Sequence, residues 1–303
     1  MPDYQTLIDA PTWAFIEKTN ASYPENTATL SIAEQRAIYD RMCAAFDTPY
    51  PPGVTSHDQP IAGVPCRIYP GAQPTVLYLH GGGYVVGGLH SHDGICADIR
   101  GATGLTVVSA DYRLSPEHKH PAAFDDACAV ARALAAKGPL ILVGDSAGGN
   151  LAAAACHALR RENLPIKGQV LIYPGLGGDV NTGSALTHAH APMLTRDDIL
   201  FYKDIRHSGP APEGDPTVSP LRDDDFTGLP MTLAIAAECD PLADDAAAYA
   251  AKITAAGGRA QALVDEGLVH GHLRARHSDP RAAASFARIT AAITAFAEGR
   301  WPY

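Results

Sequence analysis

Two hydrophobic patterns alternate along most of this 303-residue chain. Short, nearly unbroken apolar runs recur at Thr75–Leu79, Leu105–Ser109, Leu140–Val143, Gly168–Tyr173, Met231–Ile235 and Gln261–Val264. Runs that are apolar at nearly every position, and not at every second one, predict strands covered on both faces. Between them, helical spacing appears near Asp93–Ala102, over Pro121–Lys137, over Leu151–Ala155 and over Leu242–Ala256. The chain closes with Phe286, Ile289, Ile293 and Phe296 at 3-4-3 spacing, an amphipathic helix. Apolar strands alternating with helices predict an α/β chain with a mostly parallel, doubly wound sheet and helices on both faces.

Two segments depart from this rhythm. Residues 1–50 contain no strand-like run; Ser31 with Glu34 forms a capping-box pattern, after which Ile32, Tyr39, Met42 and Phe46 share one helical face. The break Pro49-Tyr50-Pro51-Pro52-Gly53 separates this helical segment from a body of residues 51–303. At the start of that body, Val54–Ile61 and Val64–Tyr69 flank Ala62-Gly63 and predict a hairpin. Residues 175–230, rich in Gly, Pro and Asp, carry one helical patch near Thr195–Ser208. So long an excursion between two core strands predicts a functional lid or insertion, here completing a cap with the N-terminal segment.

Charge and composition narrow the possible partners. Lys and Arg number 23 against 33 Asp and Glu, a net charge of −10, which opposes binding to nucleic acid or an anionic membrane. No apolar run approaches the length of a membrane span, and Met1-Pro2-Asp3-Tyr4-Gln5 lacks the features of a signal peptide. The six cysteines, Cys43, Cys66, Cys96, Cys128, Cys156 and Cys239, lie far apart and read as reduced, buried thiols. A cytoplasmic setting is therefore expected.

Candidate chemistry centres on Gly144-Asp145-Ser146-Ala147-Gly148, placed between an apolar strand and a helix. That is the context of a nucleophile elbow, with Ser146 at the apex of a turn too tight for flanking side chains. A serine hydroxyl needs an adjacent base, and the base an orienting acid. Asp240 follows the strand at 231–235, and His270 follows the strand at 261–264. Each has rivals: Asp240 could simply cap the next helix, Asp244 and Asp245 lie within that helix, and His272 stands two positions from His270. The run His80-Gly81-Gly82-Gly83-Tyr84 follows a strand and suits an oxyanion hole, since glycine lets backbone N–H groups approach a substrate oxygen; Ala147 N–H would add a donor. His90, His92, His118 and His120 lack a supporting Cys or carboxylate framework, so no metal is expected.

With these residues in place the chain resembles the hormone-sensitive-lipase-like, or bacterial family IV, carboxylesterases of the α/β-hydrolase superfamily. The resemblance is carried by His80-Gly81-Gly82-Gly83, Ser91-His92-Asp93, Asp111-Tyr112-Arg113-Leu114-Ser115-Pro116-Glu117, Gly144 to Asn150, Asp240-Pro241-Leu242 and His270-Gly271, in family order over about 75–272. It implies an α/β-hydrolase fold with a helical cap, Ser146 as nucleophile, Asp240 as acid, and His270, which precedes a glycine, as base. It also implies Gly81, Gly82 and Ala147 as oxyanion donors, a small-molecule ester of short acyl chain as substrate, no cofactor, and a homodimer, although no residue marks its interface. An amidase or formamidase with the same triad, and a non-catalytic receptor on the same fold, are the rival functions. Two positions depart from the family pattern: His272 stands where a Phe is common, and His120 where an aromatic is common. Both predict a change in the acyl pocket or its wetting.

Overall fold

The computed structural model describes residues 2–210, 212 and 214–303. Eight strands, β1 (His57–Asp58), β2 (Cys66–Tyr69), β3 (Ala72–Leu79), β4 (Leu105–Ala110), β5 (Leu140–Asp145), β6 (Ile166–Ile172), β7 (Met231–Cys239) and β8 (Ala260–Val269), form one sheet. Its order is β1-β2-β4-β3-β5-β6-β7-β8. The β1–β2 and β2–β4 pairs are antiparallel, and every other pairing is parallel.

The unbroken apolar runs follow from burial on both faces. Leu77, Leu79, Leu140, Leu142, Ala234 and Ala236 point to one side. There they pack with α5 (Ala122–Ala135), α6 (Ala147–Leu159) and α9 (Ala243–Ala255). Their neighbours Val76, Tyr78, Ile141, Val143, Leu233 and Ile235 point to the other, against α4 (Asp93–Thr103) and α10 (Pro280–Ala297). Within α10, Ile289, Ile293 and Phe296 are fully buried, as their spacing predicts, while Phe286 is only partly so.

Element limits differ from expectation where packing overrides local pattern. β8 runs on to Val269, five residues beyond the apolar stretch, because Asp265 points inward to Arg288 and His272. β7 runs on to Cys239 through a register shift near its end. The predicted hairpin is short: its turn, Ala62 at φ 51° and Gly63 at φ 83°, is closed by an Ile61–Val64 bridge, but β1 keeps only two residues. Positive φ at both central positions is the geometry that matches strand twist in a two-residue hairpin.

The N-terminal segment holds α1 (Tyr4–Leu7), α2 (Ala10–Asn20) and α3 (Ile32–Ala44). The capping box is present on α3: Ser31 N–H donates to Glu34 Oε2 at 2.9 Å and Glu34 N–H to Ser31 Oγ at 3.3 Å. The buried face of α3 is Ile38, Met42 and Cys43. Hydrophobic spacing gives little sign of α2, whose start is set by Asp9, accepting from Thr12 N–H at 3.1 Å, and by Pro11 in its first turn. The helix is stabilised from outside, by Phe15 and Ile16 packing on Leu268, Val269 and Ala282, and by a buried bond from Thr12 Oγ1 to Asp279 Oδ2 at 2.6 Å. The 175–230 stretch folds as α7 (Gly183–Thr187), not anticipated, and α8 (Arg196–Ile205), capped by Thr195 and Asp198. All six cysteines are free and buried, and no helix among the described residues is long and apolar enough to cross a membrane.

Two consequences for stability follow. The Phe296 ring lies over Gly168 so closely that a Cβ there would collide with it. Phe296→Ala is therefore expected to lower the unfolding free energy by about 3–5 kcal/mol in urea titrations, with little change in slope. Asp245, on α9, accepts from Leu176 N–H at 2.6 Å, and burial pushes its carboxyl up to about 6. A carboxyl raised above its unfolded value favours folding most when protonated, so this contribution is lost as pH rises from about 4 through 6. Asp245→Asn should gain about 2–3 kcal/mol on the wild type between pH 4.5 and pH 8, read from urea midpoints; parallel stability curves for the two proteins would contradict this.

Candidate active site

The C-terminal ends of β3, β5, β7 and β8 lie along one edge of the sheet, and the candidate residues sit on the loops that leave them. β5 ends at Asp145, and Ser146 takes φ 53°, ψ −118° before α6 begins. Positive φ costs a serine roughly 1–3 kcal/mol and persists only where neighbours impose it. Here a Cβ at Gly144 would strike the Gly148 backbone, and one at Gly148 would strike the carbonyls of Leu79 and His80 at the end of β3. Glycine at both positions lets the turn close against β3. Ser146 N–H donates to Ile172 O at 2.9 Å, and Asn150 N–H donates to Ser146 O at 3.1 Å, fixing the apex.

His270 Nε2 lies 2.8 Å from Ser146 Oγ, and His270 Nδ1 lies 2.6 Å from Asp240 Oδ2. A carboxylate at Nδ1 selects the tautomer that carries its proton there, leaving Nε2 to accept from the Ser146 hydroxyl. Asp240 is fully buried, and its other oxygen accepts from Leu242 N–H at 2.9 Å. Asp240 does not cap α9, whose N-cap is Leu242 without a side-chain cap bond; its second oxygen instead fixes the turn that leads into the helix. The alternatives lie elsewhere. Asp244 accepts from Ser184 N–H at 2.7 Å and Asp245 holds the 176–178 loop. His272 is buried, with Nδ1 3.1 Å from Val269 O, Nε2 3.1 Å from Ser285 Oγ, and Asp265 3.2 Å away. It does not line the cavity at Ser146, so the expected effect of this position on the acyl pocket is corrected.

The glycine run requires a second correction. Gly81 N–H donates to Asp145 Oδ1 at 2.9 Å and does not face the cavity, so it is no free donor for a substrate oxygen. Gly82 (φ 126°) and Gly83 (φ 59°) face the cavity with Ala147, and the N–H groups of both glycines find no acceptor among the described residues. Val85 and Val86 N–H both donate to Gly82 O at 3.0 Å, curling the loop over itself. Three successive glycines look alike in a sequence; Asp145 separates them, since a buried carboxylate must find donors and takes the nearest N–H.

Asp145 also accepts from Tyr78 O–H at 2.7 Å and lies 3.3 Å from His92 Nε2. Burial alone would raise its carboxyl, but His92 and Tyr78 outweigh burial and hold it below the usual carboxylate range. His80, pushed down to about 3 by burial, is neutral; it stacks on Tyr112 at 4.3 Å and its Nδ1–H donates to Gly81 O at 2.8 Å. Tyr112 O–H in turn donates to His80 O at 2.6 Å. The four histidines weighed as metal ligands go to separate partners: His90 to Asp40, His92 to Asp145, His118 by its backbone to Leu114, and His120 to Thr217.

Ser146 and His270 open on a cavity of about 1030 Å³. The N-terminal segment supplies Tyr23 and Tyr39 to its walls, and the 175–230 stretch supplies Ile199 and Tyr202. One residue absent from the sequence reading ties these parts together. Arg36 of α3 donates from Nε to Val85 O at 2.8 Å, from Nη2 to Ser115 O at 2.9 Å, and as a fork to Glu117 at 2.9 and 2.7 Å. It holds both the glycine loop and the Ser115-Pro116-Glu117 turn. An arginine on a helix gives no local sign of such a role in the sequence.

A protein-family model described as an alpha/beta hydrolase fold matches residues 76–274. Carboxylesterase NlhH of Mycobacterium tuberculosis is 35% identical over 252 residues, 77% of this chain and 78% of that one. Esterase LipI of the same organism is 37% identical over 66% of each chain, and the ethyl acetate hydrolase of Pseudomonas putida 35% identical over 67% of each. Among solved structures, the Pyrobaculum calidifontis esterase superposes with a TM-score of 0.81 at 32% identity, covering 88% of this chain and 94% of its own. Sequence, sheet topology and these relatives agree that the chain belongs to the hormone-sensitive-lipase-like, or bacterial family IV, carboxylesterases of the α/β-hydrolase superfamily.

Proposed function

We propose that the chain hydrolyses short-chain acyl esters through an acyl-enzyme intermediate, with Ser146 as nucleophile, His270 as general base and Asp240 as its orienting acid. The observation that carries this reading is the continuous hydrogen-bonded chain from Ser146 Oγ through His270 to Asp240, at 2.8 and 2.6 Å, opening on a cavity of about 1030 Å³, room enough for a small ester. The curated relatives named as an esterase, a carboxylesterase and an ethyl acetate hydrolase support the same class.

In this mechanism Ser146 Oγ attacks the ester carbonyl as its proton passes to His270 Nε2. The buried Asp240 carboxylate stabilises the imidazolium, and Leu242 N–H holds that carboxylate in place. Negative charge on the former carbonyl oxygen is met by the N–H groups of Gly82, Gly83 and Ala147, with Gly83 taking the place expected of Gly81. The alkoxide leaves with the proton from His270, and water then cleaves the acyl-serine by the same route. The N-terminal segment and residues 175–230 act together as a cap that sizes the pocket.

Ser146→Ala is expected to reduce turnover of p-nitrophenyl butyrate by about 10⁴-fold or more and to abolish labelling by a fluorophosphonate probe, with an unchanged circular dichroism spectrum. Retained turnover in that variant would rule out the elbow as the nucleophile's place. Asp240→Asn keeps the shape but removes the charge, and should lower kcat by about 10³–10⁴-fold with a smaller change in KM. Across acetate, butyrate and octanoate esters, kcat/KM is expected to favour the short chains, and the matched butyranilide to react far more slowly. Faster cleavage of the anilide would reassign the enzyme as an amidase.

A further inference from the structure

Lys203, Arg206 and His207 line one side of the cavity, and Lys119 and His120, which like His272 do not line it, back them from the turn before α5. His120 N–H donates to Arg206 O at 2.9 Å, Lys119 Nζ donates to His207 O at 2.8 Å, and the two histidine rings lie 5.4 Å apart. This is also where the chain departs from the family pattern, at His120. Arg206 and Lys203 line the cavity that holds Ser146, Arg206 being 5% exposed and Lys203 standing at the rim.

In a chain of net charge −10, neither cation has a carboxylate within 4.0 Å among the described residues. Asp204, beside Lys203 on α8, makes no side-chain bond to either cation, Asp198 caps α8 through Thr195 at 2.8 and 2.6 Å, and Asp215 holds the Thr217 N–H at 2.9 Å and hydroxyl at 2.6 Å. The Arg206 guanidinium lies over the Tyr84 ring, 3.8 Å from its centroid, and among the described residues reaches only two carbonyls, Val218 O at 3.3 Å and Thr217 O at 3.5 Å. Most of its five donors find no acceptor among the described residues. Beside it, His207 Nε2 is buried with no partner among the described residues. A buried guanidinium lacking its counter-ion is costly, and a bound anion relieves that cost with two parallel charge-assisted bonds.

Tyr202, one helical turn before Arg206, packs its ring on Gly83, and Tyr84, under the guanidinium, directly follows Gly83. These contacts place Arg206 on the side of the cavity that carries the glycine loop. We propose that Arg206, assisted by Lys203, binds a carboxylate carried by the ester substrate, so that the preferred substrates are half-esters of short dicarboxylic acids or esters of short hydroxy acids. For a half-ester the balance is ester plus water to alcohol, dicarboxylate and one proton. The inference builds on the esterase reading above and adds the substrate's charge to it.

The test compares each anionic ester with the amide of the same shape. On the acyl side, monoethyl succinate, glutarate and adipate are matched with the corresponding ethyl carbamoyl esters; on the alcohol side, 4-acetoxybutanoate is matched with 4-acetoxybutanamide. Ethyl butyrate serves as the neutral reference, and all are followed by release of alcohol or acid. The wild-type kcat/KM is expected to favour the carboxylate over its amide by about tenfold or more in at least one arm, and that arm tells which side of the ester faces Arg206. Arg206→Gln should bring this ratio close to one, Arg206→Lys should retain part of it, and added salt should diminish it in the wild type. A folding defect lowers both members of a pair alike and leaves the ratio intact, which separates it from a lost anion contact. No carboxylate preference in either arm, or a ratio unaltered in Arg206→Gln, overturns the inference while turnover of ethyl butyrate upholds the esterase reading. Failure on ethyl butyrate as well would overturn both.

Discussion

One buried carboxylate sets the relation between the two loops on which the chemistry depends. Asp145 lies at the end of β5, beside Ser146, and takes hydrogen bonds from Tyr78 and Gly81, which belong to β3 and the loop leaving it. By accepting the Gly81 N–H it fixes that glycine in place and turns the next two toward the cavity. The same side chain meets His92, so the start of α4 joins the arrangement. Being buried and below its usual range, Asp145 stays ionised and demands all of these donors at once. The elbow and the glycine loop therefore cannot shift independently.

Around this centre, steric closeness supplies what charge does not. The α6 backbone approaches the end of β3 at Gly148 so nearly that no Cβ fits between them, which holds Ser146 at an otherwise unfavourable φ. The N-terminal segment then closes the site from a distance in sequence. Arg36 reaches across 49 positions to Val85 O and 81 to Glu117, while Thr12 reaches Asp279 beyond the His270 loop. The first 50 residues thus buttress both the glycine loop and the base-bearing loop, as well as lining the cavity.

Much of this was legible beforehand, for reasons that differ by element. The parallel strands announce themselves because both faces are buried, so each of their positions is apolar. The helix at Ser31 is signalled by its cap, and α10 by its spacing. By contrast α2 carries little intrinsic signal and is held by β8 and α10, and the inward-pointing Asp265 hides the second half of β8 from any reading of hydrophobicity. In the candidate site, the order of Ser146, Asp240 and His270 could be read from the motifs, and the structure sets them within hydrogen-bond reach. The choice among three adjacent glycines could not, because it turns on where a carboxylate 64 positions away places its oxygens.

The sequence by itself determined the layered α/β architecture, the elbow and the residue types around it, since periodicity and local turn chemistry are properties of neighbouring residues. Only the tertiary structure decided which N–H groups face a substrate and which cations stand in the cavity without a counter-ion among the described residues. Each of those outcomes is a distance between groups far apart in the chain. Such distances are set by the packing of whole elements, which local pattern does not encode.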